Sequence, residues 1–306
     1  MGNIKREQIN KRFHDDSEQA RIEEYCINVV TNFTDKMLED YSKLPESRGG
    51  TYINSDLMKM TFDFYAESLE NRKNFNLSVT NSAAVLTNEL YTRAIKSEQV
   101  EKCIYILGPY GAGKSYFVQS LFEEKKLLDN SIVYEGSITP PAFDDKIQLA
   151  INNGVTPYLI VINPTLSLSI GNIKERAKRI GRDVEKKEIL DTLSNFYTYM
   201  KMLTEKFKGI DYLIYNKKSN TKLDWNNASK NIEDLNHGSL EEIESEYEKI
   251  ITSFERKDSS NVQFLKSFLK KGIEAGITLE DLNDARNAEK TNNLEKAEVG
   301  KENDES

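Results

Sequence analysis

The sequence predicts an α/β protein with three layers, in which helices cover both faces of a mainly parallel, five-stranded sheet, and with helical extensions at both ends. Two observations predict this fold. Short apolar runs that fit buried strands alternate with longer stretches whose apolar residues recur at helical spacing, which is typical of parallel sheets. In addition, residues 103–121 read as a strand, a glycine-rich loop and a helix in direct succession.

Residues 1–46 are predicted to form a helical extension. Apolar residues recur at helical spacing from Ile22 to Tyr41, and Thr34-Asp35 can begin a second helix. Two roles stay open for this segment: a layer that packs on the core, which we favour, or a docking surface for another protein. Pro45 and the glycines after it predict a break before the core, residues 47–216.

The core is predicted to begin with a short strand, residues 51–54. Ser55 or Asp56 would cap a helix over residues 57–71, and a further helix is predicted from Thr80 to about residue 95. Ligands collect at the carboxyl ends of parallel strands, so Asp56 is a candidate for ligand contact. Capping of the helix would also explain that residue.

The second strand, residues 103–107, leads directly into the glycine-rich loop. Residues 108–115 fit the pattern G-x-x-x-x-G-K-[ST], the phosphate-binding P-loop, and the flanking strand and helix are the context that this pattern requires. Glycines let backbone N–H groups converge on phosphate oxygens, Lys114 can reach the β- and γ-phosphates, and Ser115 can ligate Mg²⁺. The predicted cofactors are therefore ATP or GTP with Mg²⁺, and the predicted nucleotide-binding residues are Gly108, Pro109, Tyr110, Gly111, Ala112, Gly113, Lys114, Ser115 and Tyr116.

Three more strands are predicted after the loop. The third, residues 131–136, ends at the carboxylate of Glu135, which is a second candidate ligand of Mg²⁺, although a solvated strand end would also explain it. The fourth is the most apolar and is predicted to be covered on both faces. The remaining predicted elements are helices at 142–153, 166–181 and 185–207, and strands at 157–163 and 210–215.

A basic run lies at the end of the helix predicted at 166–181. Arg176 and Arg179 are one turn apart, and Gly181 is expected to end the helix and leave Arg182 in a loop. Guanidinium groups at this point can neutralise charge on a phosphoryl group in transfer. The alternative is a solvated basic face, but nucleotide kinases of the adenylate kinase type carry their lid after the fourth strand.

The C-terminal part, residues 217–288, is predicted to hold a polar loop, with at most a short edge hairpin, and then helices at about 239–257, 261–271 and 278–288. Residues 289–306 are rich in Asn, Glu and Lys and are predicted to be disordered.

Composition limits the functional classes. The net charge of −8 argues against a nucleic-acid partner. Cys26 and Cys103 are expected to be reduced core thiols of a cytoplasmic protein, and two Cys with two His at these spacings give no metal cluster. We see no signal peptide, and no apolar run approaches the ~18 residues of a membrane span.

Several of these segments resemble, in the same order, the zeta toxin family of P-loop kinases. The resemblance covers about residues 48–216 and lies in residues 132–137, 158–162, 175–176, 181–182 and 211–216. It implies transfer of the γ-phosphate of ATP or GTP to the 3′-hydroxyl of UDP-N-acetylglucosamine. The best-known members are the toxins of toxin–antitoxin pairs, so an antitoxin protein is an implied partner.

The resemblance also implies roles for individual residues. Lys114, Asp56, Arg176 and Arg182 would be catalytic, and Ser115 and Glu135 would hold Mg²⁺. The implied contacts to the acceptor substrate are Asn54, Asp56, Glu135, Ser137 and Thr139.

This chain departs from the family in two ways. The segment that resembles the family's acidic strand, Tyr52–Lys59, precedes the P-loop instead of following it. A parallel sheet tolerates such a rearrangement if the strand end reaches the same edge, which we therefore predict. Asn54 stands where the family has the acid taken as its general base, so Asp56 is the acid that remains.

Two other functions stay open at this point. The chain can be a nucleotide-dependent binding module with weak or no kinase activity, an alternative that Asn54 favours because an amide takes no proton at neutral pH. It can also be a P-loop kinase that acts on another metabolite.

Overall fold

The computed structural model describes residues 4–123, 130–136, 142–180, 184–218 and 227–254. The chain divides into two units, Met1–Tyr247 and Glu248–Ser306, and every residue discussed below belongs to the first. The predicted helices at 261–271 and 278–288 and the polar tail lie outside the described residues, as do Ser137, Thr139 and Arg182.

The sheet has six strands in the order β1-β3-β2-β4-β5-β6. The first five are parallel and the sixth is antiparallel to β5. The five predicted strands are present, and the two-residue β6 forms the short edge hairpin that the sequence left open for the polar segment after the fifth strand. The strands are β1 (Tyr52–Asn54), β2 (Lys102–Leu107), β3 (Ser131–Glu135), β4 (Thr156–Pro164), β5 (Asp211–Lys217) and β6 (Ala228–Ser229).

Eight α-helices have their bounds within the described residues. They are α1 (Glu18–Lys43), α2 (Ser55–Met58), α3 (Asp63–Glu67), α4 (Leu69–Ile95), α5 (Lys114–Glu123), α6 (Ala142–Asn152), α7 (Leu166–Ile180) and α8 (Lys186–Lys206). Residues 240–247 are also helical. In the part of the chain that the structure describes, no helix is long and apolar enough to cross a membrane.

Alternating side chains of the central strand β2 face two different helical layers. Cys103, Tyr105 and Leu107 belong to one apolar cluster with residues of α4, α6 and α8. Ile104 and Ile106 belong to a second cluster with residues of α5. Because side chains of a strand point alternately to its two faces, helices cover both faces of the sheet, as a three-layer α/β fold requires.

Cys26 and Cys103 are buried free thiols.

Two predicted helices were placed wrongly. The helix predicted over 57–71 is broken into α2, a 3-10 turn at Lys59–Thr61 and α3, whereas α4 begins at Leu69, eleven residues before the predicted start at Thr80. The cap of α2 is Asn54, whose Oδ1 accepts from the backbone N–H groups of Asp56 and Leu57. The predicted cap residues, Ser55 and Asp56, are inside the helix instead.

Helix α1 packs against α4 through a third apolar cluster that includes Cys26, Val30 and Leu86. Its backbone leaves helical geometry at Phe33, which agrees with the predicted second start at Thr34-Asp35. Within the apolar pattern that runs from Ile22 to Tyr41, Tyr25 and Phe33 are nonetheless 53% and 56% exposed.

The strand order creates a crevice beside the glycine-rich loop. The chain leaves β2 through α5 toward β3 on one side, whereas β4 connects through α7 and α8 to β5 on the other. Ligands of open parallel sheets bind where the connections diverge in this way, at the carboxyl ends of the strands. Asn54 and Glu135 are paired in register at the ends of β1 and β3, so the strand that precedes the loop does reach the predicted edge.

Candidate functional site

The glycine-rich loop, residues 108–115, joins β2 to the N-terminus of α5. Gly111 and Gly113 have φ angles of 72° and 79°, which residues with a Cβ rarely adopt. A Cβ at Gly111 would also collide with the backbone oxygen of Ser169, and one at Gly113 with the ammonium of Lys217. The first four N–H groups of a helix have no partner within it, so the start of α5 offers donors to an anion.

Helix α7 fixes the shape of this loop. Ser169 Oγ donates a hydrogen bond to the carbonyl oxygen of Tyr110, and Asn172 Nδ2 donates to that of Gly111 at 2.7 Å. Lys114 Nζ donates to the carbonyl oxygens of Gly108 and Pro109 at 2.9 and 3.1 Å. The Lys114 ammonium therefore lies over the loop, where a bound anion would meet it.

Glu135 lies behind Ser115 at the end of β3 and is 8% exposed. Ser115 Oγ donates to Glu135 Oε1 at 3.2 Å, and the Tyr52 hydroxyl donates to Oε2. Burial raises the pKa of the Glu135 carboxyl, against the opposing effects of the Lys114 ammonium and of these two hydroxyl donors. The carboxylate is thus not a solvated strand end but part of a buried network.

Asn54 is a structural member of the same network. Its Oδ1 accepts from the N–H groups of Asp56 and Leu57 at 2.7 and 2.9 Å, and its Nδ2 donates to the Tyr52 hydroxyl at 3.1 Å. A carboxylate would serve as the cap but could not donate to Tyr52. Asn54 therefore positions α2, and with it Asp56, relative to β3.

Asp56 is the exposed acid of the site, with 41% of its side chain accessible. Lys59 Nζ lies 3.5 Å from Asp56 Oδ1 and also donates to Asn76 Oδ1 at 2.9 Å. The Asp56 carboxylate is near enough to Glu135 to contribute to the raised pKa of that group. Asp56 therefore has water-accessible oxygens beside a buried polar network.

A cavity of about 730 Å³ brings these elements together. Asp56 and Asn54 from the end of β1 and the start of α2 line it, and so does Ser115 from the glycine-rich loop. Phe122 of α5 forms part of another wall. Asp56, which precedes the loop in sequence, and Ser115, the last residue of the loop, thus line the same cavity.

Among the described residues, three arginines line this cavity: Arg48, Arg72 and Arg179. The Arg48 guanidinium lies 5.4 Å from the centre of the Phe122 ring, and Arg72 donates to the carbonyl oxygen of Ala66 at 2.6 Å. Arg179 comes from α7, one turn after Arg176, which is half-buried and is not among the described residues that line the cavity. The cavity therefore combines an accessible carboxylate with a cationic wall.

The residues present suit Mg²⁺ that is shared with a phosphate ligand. Ser115 and Glu135 supply one hydroxyl and one carboxylate next to each other, which are oxygen ligands of the kind that Mg²⁺ prefers. Within the described ranges, no group of three or more His, Cys, Asp or Glu side chains could hold a metal ion by itself. This set fits an ion that takes its remaining ligands from water and phosphate oxygens.

Sequence reasoning missed several residues of this site. Tyr52 and the cavity arginines Arg48 and Arg72 gave no motif, because their roles depend on the packing of β1 and α4 beside the loop. Lys217 was missed because the fifth strand was predicted to end before it. The rule that the ends of parallel strands share one edge would have drawn attention to Lys217 had the strand been extended by two residues.

The comparisons with known proteins add no relative: no protein-family model matches this sequence, and no curated protein matches it significantly.

Proposed function

We propose that this protein is a P-loop kinase that transfers the γ-phosphate of ATP or GTP to a hydroxyl group of a small acceptor. The observation that carries the proposal is that Asp56 and Ser115 line one cavity although they are 59 positions apart in the sequence. A phosphotransferase needs an acidic group beside the end of its phosphate loop, and the cavity supplies that arrangement.

In this proposal the glycine-rich loop holds the nucleotide. The N–H groups at the start of α5 receive phosphate oxygens, and the Lys114 ammonium exchanges its two carbonyl acceptors for the β- and γ-phosphates. Ser115 and Glu135 would hold Mg²⁺, which would neutralise charge on the phosphates. Tyr52 donates to Oε2 of Glu135 and so keeps this carboxylate oriented.

The acceptor occupies the cavity in front of Asp56. Asp56 accepts the proton of the attacking hydroxyl or orients that hydroxyl, since its oxygens are accessible whereas those of Glu135 are buried and hydrogen-bonded. Arg179 reaches the same cavity and can stabilise the charge of the transferred group. The resemblance to zeta toxins makes UDP-N-acetylglucosamine the first acceptor to test, and an antitoxin the first protein partner to seek.

The test is incubation of the protein with γ-labelled ATP, Mg²⁺ and UDP-N-acetylglucosamine, with a panel of other hydroxyl metabolites alongside and product identification by mass spectrometry. We expect a phosphorylated acceptor whose formation is abolished by Lys114→Ala and strongly reduced by Asp56→Asn. Lys102→Ala and Asp63→Asn are the matched controls, because both residues are exposed and lie outside the cavity.

Other outcomes separate the alternatives. Transfer to a different member of the panel would keep the kinase and replace the acceptor. Nucleotide binding without transfer to any acceptor would favour the nucleotide-dependent binding module. Transfer that is unaffected by Asp56→Asn would remove Asp56 from the chemistry.

A further inference from the structure

A second lysine, Lys217, lies beside the glycine-rich loop at Gly113, whereas Lys114 donates to the carbonyl oxygens of Gly108 and Pro109. Lys217 is the last residue of β5, where it pairs with Pro164 of β4. Only 4% of the surface of Lys217 is exposed to solvent. A Cβ added at Gly113 would collide with the Lys217 ammonium group. No motif and no role in the proposed transfer accounts for a buried cation at this point.

Lys217 points toward the loop because the side chains of β5 alternate between the two faces of the sheet. Tyr215, two residues earlier, packs against Phe117 of α5 with ring centres 5.5 Å apart. Residues two apart on a strand share a face, so Lys217 leaves the sheet on the side of α5 and reaches its N-terminus. There the Lys217 ammonium lies 5.2 Å from the centre of the Tyr116 ring.

Within the described residues, the Lys217 side chain has neither a hydrogen bond nor a carboxylate partner; its charge meets only the face of Tyr116. Burial lowers the pKa of this ammonium, so the protein carries a desolvated cation at a cost in free energy. A phosphate at the start of α5 would be the missing counterion. The cost is thus explained by a ligand anion rather than by the fold.

We propose that Lys217 is a second phosphate-binding lysine, which contacts the phosphates nearest the nucleoside, on the side of the loop formed by Gly113 and Tyr116. This assignment rests on the proposed nucleotide site. Lys114 reaches the β- and γ-phosphates and Ser115 serves the metal, whereas the α- and β-phosphates lie along the backbone of the loop. The Lys217 ammonium lies where a Cβ of Gly113 would stand, and Lys217 does not line the acceptor cavity, so it serves nucleotide binding.

The experiment is calorimetric titration of the full chain and of Lys217→Met with ADP and with ATP, both in the presence of Mg²⁺. Loss of one charge-assisted contact to a phosphate weakens binding about 10- to 100-fold. Because ADP and ATP share the α- and β-phosphates, we expect the same factor for both. Lys218→Met is the matched control, because this neighbouring lysine is exposed, and its affinity for either nucleotide should equal that of the unmodified chain.

Thermal unfolding of the nucleotide-free variants is the second readout. An unpaired buried charge carries a desolvation cost, and an apolar side chain of similar length removes this cost. Lys217→Met should therefore unfold no lower than the unmodified chain while it binds nucleotide more weakly. A lysine that only supports the fold would give the reverse: a lower unfolding temperature with unchanged affinity, which would overturn the inference.

The remaining outcomes distinguish this inference from the proposed function. Weaker binding of ATP with unchanged binding of ADP would overturn the assignment to the α- and β-phosphates. Absence of nucleotide binding by the unmodified chain would overturn both proposals. If the affinities change as expected but no acceptor is phosphorylated, the role of Lys217 stands and the kinase proposal fails.

Discussion

Gly113 is the residue at which the glycine-rich loop meets the end of β5. It has a φ of 79° and leaves no room for a Cβ beside the Lys217 ammonium. Gly154 has nearly the same φ, 75°, but nothing lies within 4 Å of a Cβ added there. The two glycines therefore share the backbone requirement and differ in what surrounds them.

Alanine at these two positions separates backbone strain from crowding. Both Gly113→Ala and Gly154→Ala should lose about 1 kcal/mol of unfolding free energy, because both force a left-handed backbone on a residue with a Cβ. Gly113→Ala should in addition bind ADP at least about tenfold more weakly, since the new methyl group would displace a cation from the proposed phosphate site. Urea denaturation and calorimetry measure the two effects. Equal affinities of the two variants would show that the crowding has no consequence for binding.

Glu135 links the stability of the protein to pH. Burial raises the pKa of the Glu135 carboxyl in the folded protein above the ordinary value of 4.5 that it has in the unfolded chain. At a pH between the unfolded-state pKa and the folded-state pKa, the folded protein therefore binds more protons than the unfolded chain. The free energy of unfolding therefore falls as the pH rises through this interval.

Glu135→Gln should remove this dependence. We expect the stability of the variant, relative to the unmodified chain, to increase with pH above the ordinary pKa of 4.5 and to level off once the folded-state carboxyl is ionised. Urea denaturation over a pH series gives the difference, and Glu98→Gln, an exposed carboxylate, is the control. A stability difference that is independent of pH would contradict the raised pKa.

At the scale of elements, α1 is held on the molecule by the face of α4 that it covers. Leu86 of α4 is fully buried in the cluster between these helices, whereas Leu77 of the same helix is 48% exposed. Leu86→Ala should cost about 2–4 kcal/mol of unfolding free energy, because it leaves a cavity between two packed helices. Leu77→Ala should change it by no more than about 0.5 kcal/mol. Chemical denaturation tests the pair, and similar losses would mean that α1 does not depend on this face.

The elements also show why some were predictable. Strands β2 and β4 are continuous apolar runs, so their sequence leaves little choice. The helix predicted at Thr80 was too short because α4 begins with the polar turn that follows Leu69, where the Ser68 side chain caps it. Only the packing of α3 and α1 decides that these polar residues continue the helix. For the same reason, the sequence could not show that Asn54, rather than Ser55 or Asp56, caps α2.

At the scale of the molecule, the site depends on strand order. The sequence placed a strand before the loop, and the rule for parallel sheets predicted that its end would reach the same edge; the pairing of Asn54 with Glu135 confirms this. The hydrogen bond from Tyr52 to Glu135 could not be predicted, because it joins residues 83 positions apart. Neither could Lys217, whose meaning depends on the contact with Gly113.

A nucleotide that binds at the centre of the sheet should stabilise the whole first unit. At a hundred times its dissociation constant, a ligand adds about 2.7 kcal/mol to the free energy of unfolding. We expect Mg²⁺ with ADP to raise the thermal unfolding temperature of the unmodified chain and of Lys102→Ala, and to leave that of Lys114→Ala nearly unchanged. Thermal scans at several ADP concentrations make the measurement. An equal rise in all three proteins would place the ligand elsewhere.

The strand order has a consequence for how such a protein can change over time. Most of the cavity wall, from Pro45 to Arg72, lies in one continuous segment ahead of the loop, and a single connection after α4 joins it to the strand that carries the loop. Under the proposed function, one stretch of the gene encodes most of the residues that select the acceptor, and a later stretch encodes the residues that bind the nucleotide. A single recombination event between them could exchange the acceptor and leave the phosphate donor untouched.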